Sequence, residues 1–398
     1  MYRPIAPMIV IGMLAASLIA ASLPANNLSA FAESPAYTPI PVQGFDDGVK
    51  HFRDASGVTE YKRYAVEDIV AIADNVLLHQ RSNGGWRSNW DPLRILTEEE
   101  VQEVAAERAR EDTTLDNRAT YPHIEYLAHA YNQTGDTRYR EAALRGLDFI
   151  FEAECEPGGW PHSYPNTSAY RGHITFMDDV TTGVLHTLRK AADGSEPFAF
   201  LPDDLRERAA GAVARGDALI LRLQIVVDGA PTAWGGQYDR DSLEPAQGRA
   251  YELPSIVSAE SVGVVRYLMS IEPPTPDIVR AVENAIAWYE RSAIHGIRIE
   301  TIPIEPIRYD HHTATTDRIV VEDPEAPPIW ARFYEIDTNR PFMANRDGIK
   351  VYSLAEVHHE RRTGYGWYTL SPSGLVQRQY PAWRARWAAE LPELFDSP

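Results

Sequence analysis

Apolar side chains recur at helical spacing through most of the chain. Amphipathic helices are predicted over 64–77, 97–110, 124–131, 136–150, 261–269, 276–294 and 380–394. Thr97 and Glu100 have the spacing of a capping box, and Asp136 predicts the N-cap of a further helix. Only 299–321 has the β-rich pattern typical of short strands. The sequence therefore predicts a mainly α-helical protein.

Three glycine pairs, each with a neighbouring tryptophan, follow predicted helices. Gly84, Gly158 and Gly235 of these pairs lie 74 and 77 residues apart. A glycine pair is a common helix stop, so each one alone could be a coincidence. The shared tryptophan and the shared position after a helix favour a repeat of helical hairpins with their loops on one rim. The predicted fold is an α/α toroid, a partial barrel of helical hairpins, with short β-strands and long aromatic, glycine-rich loops.

The first 32 residues have the pattern of an export signal. Arg3 is their only charged residue before an apolar run from Ile9 to Leu23, and residues 30–32 form a small-x-small cleavage site. Residues 33–60 are rich in Pro, Ser, Gly and Asp and predict a flexible leader, and residues 61–398 predict a single domain without a linker. We expect a secreted protein, extracellular or periplasmic, with no membrane association after signal removal. A retained N-terminal anchor is the alternative.

The formal net charge of the chain is -19. An acidic surface argues against nucleic-acid binding and against general attraction of polyanions, so an anionic ligand would need a local cationic site. The single cysteine, Cys155, permits no intramolecular disulfide, so the stability must come from the core. A monomer is the default expectation.

Two pairs of adjacent residues with side-chain oxygens precede predicted helices. They are Asp116-Asn117 and Asp178-Asp179. Such pairs suit either a helix N-cap or a hard cation such as calcium. For each pair alone the helix cap is the better explanation. Together they would supply the oxygen ligands of one open calcium site, with positions left for a substrate carboxylate and water.

The stretch from Trp234 to Ser261 is polar, aromatic and rich in glycine, and it has Arg249 at its centre. Loops of this kind on a rigid scaffold often carry binding or catalysis, although an ordinary ion pair with a nearby carboxylate is the alternative. Guanidinium groups match carboxylates, and the other candidate arginines are Arg318, Arg332, Arg340 and Arg346. Aromatic rings suit sugar faces or a core, and the candidates are Trp86, Trp160, Tyr164, Trp234, Tyr251 and Tyr334.

A series of motifs between residues 61 and 390 resembles the pectate lyases of polysaccharide lyase family ten. In order they are NGGW (83–86), DNRAT (116–120), GGWP (158–161), ITFMDD (174–179), LEPAQGRAYELPS (243–255), ESVG (260–263), WARFYEIDTNRPF (330–342), RDG (346–348) and ERRTGYGWY (360–368). Each motif alone is weak, but so many in one order are specific. The segments 155–168 and 234–241 depart from the family pattern, which affects the expected contacts with substrate.

The resemblance implies calcium-assisted β-elimination on polygalacturonate by a catalytic α/α toroid. By motif, Arg249 is similar to the base that takes the C5 proton, which implies an alkaline optimum. The positions similar to calcium ligands are Asp116, Asn117, Asp178 and Asp179. The positions implied to bind substrate are Arg318, Arg332, Arg340, Trp160, Tyr164, Tyr251 and Tyr334.

Two alternatives to a lyase follow from the same residues. A glycoside hydrolase on an α/α barrel would use a carboxylate pair such as Asp178 with Glu260 or Glu252. A non-catalytic protein would use its arginines and aromatic rings only to hold an acidic polysaccharide. The fingerprints of P-loops, dinucleotide sites, HExxH metalloproteases and GxSxG hydrolases do not occur in the sequence.

Overall fold

The computed structural model of the protein describes residues 37–58, 60–310 and 312–395. The predicted export signal lies outside these residues. No helix in the described part of the chain is both long and apolar enough to cross a lipid bilayer.

Helices make up most of the regular structure. Their bounds are Asp46–Ser56 (α1), Ile69–His79 (α2), Glu98–Ala106 (α3), Tyr121–Thr134 (α4), Thr137–Ala153 (α5), Val180–Asp193 (α6), Asp203–Arg222 (α7), Ser258–Met269 (α8), Pro276–Ser292 (α9), His359–Gly364 (α10), Ser371–Gly374 (α11) and Tyr380–Glu390 (α12). The predicted capping box of Thr97 and Glu100 at α3 is confirmed, as is the Asp136 cap of α5.

Most strands are short. They are Ile174–Thr175 (β1), Val226–Val227 (β2), Ala230–Pro231 (β3), Gln237–Tyr238 (β4), Ile256–Val257 (β5), Ile297–Arg308 (β6), Thr313–Glu322 (β7), Trp330–Ala331 (β8), Phe333–Tyr334 (β9), Pro341–Ala344 (β10), Lys350–Val351 (β11) and Tyr368–Thr369 (β12). β5, β9, β10 and β11 form an antiparallel sheet, while β6 and β7 form a hairpin longer than the short strands predicted there.

Consecutive helices pair into hairpins. α4 packs on α5, α6 on α7 and α8 on α9, while the first helices of successive hairpins pack side by side in the order α2, α4, α6, α8. This inner row with outer partners is the predicted α/α toroid, and the fold prediction is confirmed. Their apolar faces form one large core, and a second, smaller cluster lies under the four-stranded sheet.

The glycine–tryptophan loops repeat the same contacts from hairpin to hairpin. The indole N–H groups of Trp86, Trp160 and Trp234 each donate to a helical carbonyl at 2.8 Å, and all three rings are fully buried. Gly84, with φ +94°, lies so close to the carbonyl of Arg145 that a Cβ would come within 2.2 Å. The repeat is therefore a packing device that closes each hairpin.

The same repeat fixes where the inner helices begin. The backbone N–H of Trp86 donates to the hydroxyl of Thr120, and that of Trp160 donates to the hydroxyl of Thr181. Thr120 immediately precedes α4 and Thr181 lies in the first turn of α6. The residues before these two threonines therefore occupy equivalent places at one rim of the toroid.

The segment predicted as a flexible leader contains regular structure. A short 3-10 helix, Gln43–Phe45, leads directly into α1. Phe45 and Val49 are buried, and the Phe45 ring centroid lies 4.9 Å from that of His123 in α4. Two apolar side chains one turn apart are enough to dock this otherwise polar helix on the core.

Candidate active site

Two equivalent short turns at the rim carry the acidic candidates. They are the 3-10 segments Asp116–Arg118 and Met177–Asp179, which contact each other. The middle residue of each turn has a left-handed backbone: φ is 51° for Asn117 and 52° for Asp178. Asn and Asp tolerate this conformation better than most residues. The residue types at these two positions thus fit the backbone as well as any chemistry.

The next residue of each turn, Arg118 or Asp179, is also left-handed, with φ of 55° and 58°. The two side chains pair with each other at 2.7 Å across the rim. Asn117 instead donates through its amide to Asn89 at 2.8 Å. Asp179 is therefore engaged by an arginine in this structure, and Asn117 by a neighbouring amide.

Asp116 and Asp178 come together at the centre of the site. Their carboxyl groups lie close enough for each to shift the pKa of the other, and Asp116 also meets the Nε2 of His162 at 3.0 Å. Burial would raise the pKa of Asp116, but the hydrogen bond and charge of His162 outweigh it and lower this pKa to about 2. Burial, followed by the charges of Asp116 and Glu260, raises the pKa of Asp178 well above its usual range.

Glu260 and Arg332 form a buried ion pair beside Asp178. Burial raises the pKa of the Glu260 carboxyl, while the charge of Arg332 opposes this rise. Oε2 of Glu260 and Nε of Arg332 are buried without a hydrogen-bond partner in the described part of the chain. An acceptor and a donor thus remain unsatisfied next to the aspartate pair, which is typical of a ligand site.

Arg249 lies in the loop between β4 and β5, on the same side of the molecule. Its charge acts on Asp116, and its side chain pairs with Glu252 at 2.8 Å. Glu252 also accepts from the hydroxyl of Tyr365 at 2.8 Å. Burial would lower the pKa of the Arg249 guanidinium, but the charge of Glu252 outweighs it and raises this pKa above its ordinary value. Arg249 is thus a cation in the absence of substrate.

The ring of Tyr251 packs against the guanidinium groups of three arginines. Its ring is only 3% exposed, and the guanidinium groups of Arg249, Arg346 and Arg361 lie 5.7, 5.5 and 4.7 Å from its centroid. Cations over an aromatic ring are attracted to its face. The structure therefore places Tyr251 as a platform for the arginines rather than as an open face for a sugar.

The other predicted arginines lie at different distances from this centre. Arg332 is part of it, with its guanidinium 4.6 Å from the Tyr365 ring centroid. Arg318, on β7, donates to the backbone carbonyl of Tyr365 at 2.6 Å and so holds that loop from behind. Arg340 is exposed and stacks 3.4 Å above the ring of Tyr352. No contact of Arg340 with the aspartate pair is present among the described residues.

Two of the predicted sugar-contacting rings belong to the core. Trp160 is fully buried, and Tyr334 is 1% exposed with its hydroxyl donating to the carbonyl of Ser292 at 2.7 Å. A sugar can stack only on an exposed ring, and neither of these two rings is exposed. Tyr164 is half-buried against Phe149, and its backbone carbonyl accepts from Thr113 in the loop that holds His162 against Asp116.

The donor set fits a hard cation. Two neighbouring aspartates, with an unsatisfied Glu260 oxygen beside them, provide the oxygen ligands that calcium prefers. Within the described residues, no group of three or more His, Cys, Asp or Glu side chains is arranged around one metal position. Asp116 and Asp178 would hold the ion from one side, and other oxygens would complete its shell.

Two residues of the site had little signal in the sequence. His162 partners Asp116 from a loop 46 residues away, and Tyr365 links Glu252 to Arg332 from the far end of the chain. Glu252 had a signal, since it stands three residues after Arg249. Contacts between distant loops depend on the closure of the toroid, which no local pattern encodes.

Comparisons with known proteins agree on one family. The model of the pectic acid lyase family matches residues 80–376. A solved family 10 polysaccharide lyase from Cellvibrio cellulosa is 28% identical, with a TM-score of 0.66, and the match covers 86% of this chain and 98% of that one. An aspartate-to-alanine mutant from the same organism, in complex with trigalacturonic acid, is 27% identical, with a TM-score of 0.65 and coverage of 86% and 99%. A comparison with the curated proteins gave no significant match.

Proposed function

Because the chain belongs to the pectic acid lyase family and is a polysaccharide lyase, we propose that it cleaves polygalacturonate by calcium-assisted β-elimination with Arg249 as the base. The observation that carries the proposal is the convergence of Asp116, Asp178, Arg249 and Arg332 on one surface. The solved relative bound to trigalacturonic acid supports this class of substrate.

The C5 proton of a uronate is hard to remove while the neighbouring carboxylate keeps its full charge. Asp116 and Asp178 would hold calcium, which when bound would supply charge that neutralises this carboxylate and stabilises an enolate-like transition state. Arg332, whose unpartnered Nε lies beside Glu260, adds a donor to the same carboxylate.

Arg249 takes the C5 proton in this account. The electron pair of the C–H bond forms the C4–C5 double bond, the C4–O bond breaks, and the leaving oxygen takes a proton from water. Arginine is ordinarily protonated, so Arg249 must first lose a proton, and high pH favours this loss. The ion pair with Glu252 holds the side chain in place at the cost of a higher pKa.

Replacement of Arg249 separates its chemical role from simple binding. We expect Arg249→Ala and Arg249→Lys to lose about 10²- to 10⁴-fold in kcat while trigalacturonate binding weakens far less, because general-base catalysis acts on the reaction step. The control is Arg384→Ala. Arg384 is an exposed arginine of α12 that pairs with Glu283 of α9. Wild-type turnover in the Arg249 variants, or a loss confined to binding, would contradict the assignment.

Secretion belongs to the same proposal. The export pattern of the first 32 residues fits a protein that works outside the cell.

The glycoside hydrolase alternative would need a free carboxylate pair. Glu252 is engaged by Arg249, and Glu260 is engaged by Arg332.

A further inference from the structure

The groove next to Asp178 is walled by the N-terminal helix. A cavity of about 420 Å³ lies between Asp46, Asp47 and Lys50 of α1 on one side and Asp178, Asp179 and Glu260 on the other. The proposed cation ligand Asp178 therefore faces a helix that lies outside residues 80–376, the part matched by the family model.

The packing of α1 explains which side chains reach this groove. Phe45 and Val49, four residues apart, are buried against the core, and the Phe45 ring also lies 5.5 Å from that of Tyr126. Asp46 and Lys50 are likewise four residues apart, so they share the adjacent face of the helix. That face lines the groove, and α1 also contacts the Asp116–Arg118 turn.

Lys50 stands out among the charges of this groove. The other cation that lines it, Arg118, is bound to Asp179 at 2.7 Å. Lys190 and Lys350 are also paired, with Glu125 and Glu335. Lys50 is exposed and has no ion pair among the described residues. The carboxylates of Asp179 and Glu260 are engaged by Arg118 and Arg332, so Lys50 faces the groove as a cation that can bind an added carboxylate.

We propose that Lys50 binds the carboxylate of a second galacturonate unit, next to the unit held at Asp116 and Asp178. Lys50 thereby determines how tightly acidic chains of different length bind in this groove. The proposal rests on the proposed function, because it takes the substrate class from there. It assigns a role to a helix beyond the matched family region.

The test compares Lys50→Gln with Lys62→Gln, a second exposed lysine that does not line the groove. With polygalacturonate we expect Lys50→Gln to raise KM about three- to tenfold at low salt with kcat unchanged, which is the effect of one charge-assisted contact. The difference should shrink as salt is added, and Lys50→Arg should restore KM. A KM for Lys50→Gln equal to that of Lys62→Gln would overturn the proposal.

A binding measurement keeps this result separate from the proposed function. Calorimetric titration with trigalacturonate compares wild type, Lys50→Gln and Lys62→Gln without any need for turnover. If the wild type binds but does not eliminate, the proposed chemistry fails while a weaker affinity of Lys50→Gln alone still supports Lys50. Equal affinities in all three proteins, or no binding by the wild type, overturn the role of Lys50.

Discussion

At the residue scale, a pH dependence follows from the proposed role of Arg249 as the base and from its pairing with Glu252. The charge of Glu252 outweighs burial and raises the pKa of the guanidinium, so its neutral form becomes scarcer at any given pH. The rate should therefore rise with pH, to an alkaline optimum, because deprotonation of Arg249 precedes proton abstraction. The profile of kcat/KM against pH measures this, and a maximum near about pH 5 would contradict an arginine base.

The variant Glu252→Gln sharpens the same test. Loss of the carboxylate charge lowers the pKa of Arg249. The ascending limb of the rate profile, where Arg249 loses its proton, should therefore move to lower pH. A displaced Arg249 would lower the plateau of the profile without moving the limb. A limb and a plateau that both stay unchanged would show that Glu252 does not tune the base.

The aspartate pair gives a second prediction at this scale. Asp178→Asn removes a carboxyl that burial and Asp116 make hard to ionise. We therefore expect the variant to fold at least as well without calcium and to lose the thermal stabilisation expected from added calcium. Asp179→Asn, which removes the partner of Arg118, should keep most of that stabilisation. Thermal unfolding with and without calcium measures both, and the reverse order would exchange the roles of the two aspartates.

Residue types indicate which side chains are candidates for the site, but they do not indicate which of those side chains are buried. The pairing of acidic dyads, and the importance of Arg249, follow from composition and motif. Trp160 and Tyr334 have the residue types of sugar-binding rings, but they are buried in the core. Tyr251 bears arginines rather than an open face. The presence of an aromatic residue in the sequence does not indicate whether either face of its ring is exposed in the fold.

At the element scale, a column of aromatic and histidine rings joins α2 to α4. His79 stacks on Trp90 at 3.8 Å, Trp90 stacks on His123 at 5.1 Å, and His123 stacks on Trp86 at 5.4 Å. Burial lowers the pKa of both histidines to about 3. The folded protein therefore keeps them neutral, while the unfolded chain protonates them near pH 6.5.

This column predicts a loss of stability in acid. Above the unfolded pKa neither state binds a proton at these histidines. Below it the unfolded state binds protons that the folded state does not, so the free energy of unfolding falls as the pH drops from about 6.5 towards 3. The loss is up to about 4 kcal/mol for each histidine. His123→Phe should remove roughly half of that loss, since Nδ1 of His123 has no hydrogen-bond partner to forfeit. Denaturant unfolding at several pH values measures it, and a parallel decline in variant and wild type would contradict the account.

The elements themselves were largely predictable. Helical spacing and caps located α3, α5 and α9 to within a few residues, because these helices are amphipathic and begin at capping side chains. The sequence analysis did not predict α7, and it also missed α1, since only Phe45 and Val49 mark the buried side of α1 within a polar, glycine-containing segment. The β6–β7 hairpin was expected as short strands, because Pro303 and the bulge near it interrupt the alternating pattern.

At the scale of the whole molecule, the toroid assembles a site from residues far apart in the chain. Trp86, Trp160 and Trp234 repeat one closing contact, so the hairpins stack with their loops on one rim. The spacing of these loops predicted the architecture. The residue types predicted that the Asp116 and Asp178 turns would lie together, and the packing of α4 on α6 brings them into contact.

The central claim is elimination that depends on calcium, and one measurement tests it most directly. Purified protein is mixed with polygalacturonate at alkaline pH, first with calcium and then with excess chelator, while the ultraviolet absorbance of the 4,5-unsaturated product is followed. The account predicts a steady rise with calcium, abolished by chelator and restored when calcium is added back. New reducing ends without that absorbance would indicate hydrolysis and contradict the account, as would a rise that the chelator leaves unchanged.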